Sequence, residues 1–183
     1  MSKPGLVASL LACLLLAAPA LARLDETIVE CHKRYGRPVA MRSVGTEVIC
    51  RYRRGNYTVK VIFAKGRAVE VYYSRSSGNL LTQDDLDLFL DVNASTSRWV
   101  KVDQLAEWRK ANAGHENDEV RQVELMRDMA TFFLWSREDG EAEASYDREL
   151  GVLLICSAER LEREREEEKE EVKTDDPDNP LGF

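Results

Sequence analysis

A chain of 183 residues with a formal net charge of −7 has room for one domain with appendages, or for two very small domains. The acidic balance excludes a general nucleic-acid binder, whose affinity would come from lysines and arginines neutralising phosphates. The charge is uneven: from Glu159 to Asp178 eleven acidic side chains outnumber five basic ones, so the preceding part is close to neutral.

The first residues read as a secretory leader. Lys3 is a short basic region, Leu6 to Leu16 is apolar, and Ala20-Leu21-Ala22 is a small-x-small cleavage pattern. The apolar run is too short for a comfortable membrane span. Residues 1–22 are thus expected to be removed, with Arg23 as the first mature residue. Leu10-Leu11-Ala12-Cys13 has the form of a lipobox, but the apolar run continues past Cys13, so cleavage is favoured over a lipid anchor. Cleavage removes Lys3 and Cys13, taking the charge from −7 to −8 and leaving Cys31, Cys50 and Cys156. No transmembrane segment is expected after it. Export to the periplasm or the extracellular space puts the remaining cysteines in an oxidising compartment.

Leu24 to Tyr35 predicts a helix, with Leu24, Ile28, Cys31 and Tyr35 on one stripe, Gly36 as terminator and Pro38 preventing continuation. Residues 46–74 then alternate in three runs separated by Arg54-Gly55-Asn56 and Lys65-Gly66-Arg67, the form of an antiparallel meander. Val48, Cys50 and Tyr52 share one face with Tyr57, Val59, Val61 and Phe63, and with Val69, Val71 and Tyr73. The helix stripe is expected to cover that face, which brings Cys31 opposite Cys50. The pair is either a disulfide or two buried free thiols.

Thr82 and Asp85 resemble a capping box opening a helix to about Val92, with Leu86, Phe89 and Leu90 buried. Trp99 and Val100 predict a short strand. Asp103 predicts the start of a helix burying Leu105 and Trp108 and ending at Gly114. Residues 119–130 are ambiguous between helix and strand. Strands at about 131–137, 141–146 and 151–157 form a second meander, with Asp139-Gly140 as a hairpin turn. From Leu161 to Val172 the composition is Glu, Arg and Lys with no apolar stripe, which predicts a solvated helix leading into a disordered end. The fold class is therefore α+β: antiparallel meanders packed by short helices, with a charged helical tail over 158–183. The globular region spans 23–157. Helix then meander occurs twice (24–75 and 99–157), as two small units or two halves of one sheet.

No constellation for catalysis stands out. Cys31 and His32 are neighbours on a helix and point about a hundred degrees apart, so they make no nucleophile–base pair. Metal-ligand spacings, phosphate loops and nucleophile elbows are missing, and no cofactor is expected. Asp84, Asp87 and Asp91 share a helical face best read as solvated. Asn56-Tyr57-Thr58 and Asn93-Ala94-Ser95 match the glycosylation sequon. On the open face of the first meander, alternation collects Arg51, Arg53, Lys60 and Tyr72, a basic and partly aromatic surface suited to a partner or to the acidic tail.

The pattern Glu30-Cys31-x-x-Arg34-Tyr35-Gly36-x-Pro38, followed by Val-Ile-Phe-x-x-Gly-x-Ala at 61–68, resembles a type of small exported bacterial protein of no assigned function. Trp135 to Gly140 and the end Leu181-Gly182-Phe183 fit that type. More remotely, residues 24–74 are similar to the SmpA/OmlA-like and β-lactamase-inhibitor-like α+β units, although this chain offers a single helix before its strands. The resemblance implies a non-enzymatic module acting through protein contacts. The expected function is thus an exported, non-catalytic interaction protein with an unidentified protein partner. The alternatives are a hydrolase using dispersed carboxylates and a structural envelope component.

Overall fold

The structure is a computed structural model and describes residues 23–111 and 119–174. The expected leader (residues 1–22), Gly114 and the end after Thr174 lie outside the described residues. The protein is α+β. Eight antiparallel strands form one sheet in the order β1-β2-β3-β4-β8-β7-β6-β5. They are β1 (Ala40–Val44), β2 (Glu47–Arg54), β3 (Tyr57–Ala64), β4 (Arg67–Arg75), β5 (Trp99–Lys101), β6 (Phe132–Arg137), β7 (Ala142–Asp147) and β8 (Val152–Ser157). The helices are α1 (Ile28–Tyr35), α2 (Gln83–Val92), α3 (Gln104–Ala111), α4 (Glu119–Thr131) and α5 (Ala158–Thr174). Each half of the sheet is a four-stranded meander, and the halves join where β4 pairs with β8. The repeated helix-then-meander pattern is therefore two halves of one sheet.

Turn chemistry sets the hairpins. Lys65 and Gly66 both take positive φ, 51° and 80°, the twist that matches a two-residue hairpin between right-twisted strands. Helix α1 starts later than the stripe suggests. Thr27 caps it in a reciprocal capping box with Glu30, and Asp25 takes φ of 68° ahead of it. Residues 25–27 instead pair with the start of β4: Asp25 N donates to Ala68 O and Ala68 N to Glu26 O, both at 2.8 Å. The capping signal Thr27-x-x-Glu30 was present in the sequence and locates the start better than the apolar stripe does.

Helices α1 and α2 cover one face of the sheet. Cys31 and Tyr35 of α1 and Leu86, Phe89 and Leu90 of α2 join Cys50, Tyr52, Val59, Val61, Phe63, Val71, Tyr73, Leu153 and Ile155 in one buried cluster. Phe89 stacks on Tyr73 with centroids 4.1 Å apart and meets Tyr57 edge-on at 5.2 Å. Asn93 at the end of α2 is 2% exposed; its amide donates to Tyr73 Oη and Phe89 O and accepts from Leu24 N. A folded chain thus offers no glycosylation acceptor at Asn93.

Further expectations need correcting. Strand β1 lies before the first of the three expected strands. Val69 does not share the face of Val71 and Tyr73. A bulge opposite Ile62 and Phe63 shifts the register, so Ala68 enters the main core and Val69 joins Ile62 and Ala64 in a second cluster on the other face. On α3, Leu105 and Trp108 are only half-buried. Residues 119–131 resolve as helix α4, which exposes Val123 and Met126.

Asp85 anchors the start of α2. It is 6% exposed, accepts from Tyr57 Oη at 2.6 Å and from Arg75 Nη2 at 2.6 Å, and closes the cap with Thr82. Burial alone would push this carboxyl up, but the bonds from Tyr57, Thr82 and Arg75 outweigh it and hold it at about 2. The unfolded carboxyl titrates near the ordinary value of about 3.9. The stabilisation is therefore complete above about pH 4 and is lost as pH falls through about 2. Asp85→Asn is expected to flatten the acid limb of the stability curve in that window. Urea denaturation measured across the window would show an unchanged limb if the carboxylate were unimportant.

Candidate interaction face

Opposite the helix-covered core, the register aligns Arg51, Lys60 and Tyr72 in one row across β2, β3 and β4. The next row is Arg53, Thr58 and Ser74. The four residues singled out from alternation thus share one face of three adjacent strands. The face also gains Arg42 of β1, which pairs with Ile49. Sequence reasoning missed Arg42 because the strand that carries it shows no apolar period.

Lys60 Nζ sits 3.3 Å from the Tyr72 ring centroid, and Tyr72 Oη donates to Glu70. Burial pushes the Lys60 ammonium below its ordinary value, opposed by Glu70 and aided by Arg42. Arg42, Arg51 and Arg53 are exposed, and among the described residues none of them is ion-paired. Elsewhere Arg98 pairs with Glu138, Arg137 with Asp139 and Arg165 with Glu143, whereas Arg37, Arg54 and Arg148 are also exposed outside any ion pair among the described residues.

The face is bounded by the first turn of α5. Arg160 Nε lies 2.7 Å from Glu70 Oε1 and its Nη1 lies 2.8 Å from Glu47 Oε1, while Glu164 approaches at 3.0 Å. Glu70 is only 3% exposed. The charged tail therefore begins docked on the sheet rather than solvated, a correction to its sequence reading. The sequence offers the open face as a place for the tail, but local pattern gives no sign of Arg160 as the docking residue, because its partners are 90 and 113 residues away.

Glu70 and Asp85, the two buried carboxylates among the described residues, have matching surroundings: each takes a guanidinium and a tyrosine hydroxyl. Both arrangements satisfy the carboxylate oxygens and hold them in place, which is a structural role. Among the described residues no group of His, Cys, Asp and Glu side chains is placed to hold a metal ion.

Cys31 and Cys50 both reach the core, as the stripe and the alternation require, and each is fully buried. No bridge joins them; both are free thiols, as is Cys156. Cys31 Sγ lies 3.6 Å from Glu26 Oε2. Burial, with Glu26 beside it, pushes the Cys31 thiol up to about 12. Burial, with Glu70 beside it, does the same for Cys156, and burial also raises Cys50. Since the thiolate is the reactive form, a maleimide reagent at neutral pH is expected to label none of the three in the folded protein. Unfolding should expose all three of these thiols, Cys31, Cys50 and Cys156, to the reagent. Rapid labelling of the folded chain would contradict the burial, and a count of one after unfolding would show Cys31 and Cys50 bridged.

No protein-family model matches the chain, and no curated protein does. Among solved structures, a cysteine-rich secretory protein from Staphylococcus aureus subsp. aureus Mu50 is similar over 75% of this chain, at 15% identity and a TM-score of 0.41. The match spans 46% of that protein's chain. A likeness at this level carries neither fold nor activity across. Among the described residues no helix is long and apolar enough to cross a membrane.

Proposed function

We propose that the chain is an exported, non-catalytic protein of the periplasm or extracellular space that binds another protein through the face carrying Arg51, Arg53, Lys60 and Tyr72. One observation carries the reading: three exposed guanidinium groups stand without ion pairs among the described residues, on an open sheet beside a half-buried tyrosine, in a chain of net acidic charge. Such a surface combines a flat aromatic and aliphatic floor with charges free to meet an acidic partner. The sequence of residues 1–22 supports export, and the resemblance of residues 24–74 to interaction modules supports binding. Leu24 N donates to Asn93 Oδ1 and Asp25 N to Ala68 O, next to the expected cleavage site.

Crosslinking of the mature protein in its native envelope, with mass spectrometry of the adducts, tests the proposal. The expected result is an adduct through Lys60 or its neighbours on a chain beginning at Arg23. Failure to capture a partner, together with turnover on a panel of hydrolase substrates, would overturn it.

A further inference from the structure

The two edges of the sheet differ. Strand β5 has three residues and ends in Lys101, the kind of short, charged edge that resists pairing with another chain. Strand β1 has five residues, pairs only with β2, and is exposed along its whole length. Val39, Met41 and Val44 are 61%, 62% and 52% exposed there. The outer side of β1 is thus a row of backbone donors and acceptors next to apolar side chains.

We infer that β1 is a strand-addition site for an extended peptide in which acidic and apolar residues alternate. The inference rests on the binding reading above and names the form of the partner. A strand laid beside β1 places alternate side chains on the two faces of the sheet. On one face its neighbours are Arg42 and, one strand further in, Arg51, with Arg53 beyond. Acidic side chains there meet guanidinium groups that have no ion pair among the described residues. On the other face the neighbour is Met41, which continues the row of Cys50 and Val61. Apolar side chains there extend the core.

Charge selects this occupant over a second copy. Two β1 strands fully overlapped about a two-fold axis would set Arg42, the central residue of the strand, opposite Arg42 of the other copy, and like charges opposite one another are destabilising. The chain's own acidic segment up to Thr174 is committed to α5, a helix, and does not supply the added strand.

The test uses a short synthetic peptide alternating glutamate and valine, binding to the mature protein and followed by fluorescence anisotropy. Arg42→Glu is expected to weaken binding roughly tenfold, the change that reversing one cross-strand charge pair gives, with an unchanged melting curve. N-methylation of alternate peptide residues is expected to abolish binding in the phase that faces β1 and to spare it in the other. Equal binding of a lysine–valine peptide, or equal effects of the two methylation phases, would overturn strand addition. So would a wild-type dimer that excludes the peptide. If the peptide fails while envelope crosslinking still captures a partner, strand addition falls and the binding reading stands; if both fail, the binding reading falls with it.

Discussion

Phe89→Ala is expected to destabilise the protein by about 4 kcal/mol, the middle of the range for removing a buried ring. Phe89 is 0% exposed, and its ring lies between Tyr73 of β4 and Tyr57 of β3, the contacts that seat α2 on the sheet. Its carbonyl also receives the Asn93 amide, which in turn holds Tyr73 Oη and the Leu24 amide. Loss of the ring leaves a cavity with rigid strand backbone on one side, so it cannot collapse cheaply. Urea denaturation should show a lower midpoint with an unchanged slope. Leu88→Ala, at a half-buried position of the same helix, is expected to cost much less. A Phe89→Ala loss below about 1 kcal/mol would mean that α2 is not docked as described.

Arg160→Ala is expected to cost about 3 kcal/mol, because it strands Glu70 without its cation in a site from which water is largely excluded. For a domain of this size the melting temperature falls by roughly 10 °C. Glu47 is more exposed and recovers solvation, so Glu70 carries most of the effect. Arg160→Ala combined with Glu70→Gln should therefore recover part of the loss, and the double-mutant cycle should show clear coupling. Purely additive effects would contradict the pairing. Arg160→Lys should not restore stability, because a single ammonium does not reproduce a guanidinium that reaches Glu70 through Nε and Glu47 through Nη1.

Where apolar and polar side chains alternate between the faces, the period is readable. That describes β2, the start of β3 and most of β4, the 82–92 helix with its cap, and the strands β6 and β7. Strand β1 was not readable for the same reason reversed: both its faces are exposed, so Ala40 to Val44 shows no alternation. Val69 was misplaced because a bulge adds one residue, and one residue turns a side chain to the opposite face. Arg160 was invisible because its carboxylates lie on strands far away in sequence, and an ion pair leaves no periodic trace. The candidate face is legible in composition and spacing, since Arg51, Arg53, Lys60 and Tyr72 follow from the alternation alone. Arg42, its edge and the docked start of α5 needed the fold.

These limits meet at one surface. Arg42, Arg51 and Arg53 lie beside an open edge, Lys60 rests on Tyr72, and Tyr72 leads through Glu70 to Arg160 and α5. The proposed partner therefore meets a platform whose charges stand ready and whose floor is held by the core.

The most direct measurement is envelope crosslinking repeated with Arg51→Glu/Arg53→Glu. Both side chains are exposed, so the fold and melting temperature should be those of the wild type. The account predicts that the adduct formed by the wild-type protein disappears in the charge-reversed variant. An adduct of the same partner at the same yield would show that this face is not where the protein binds.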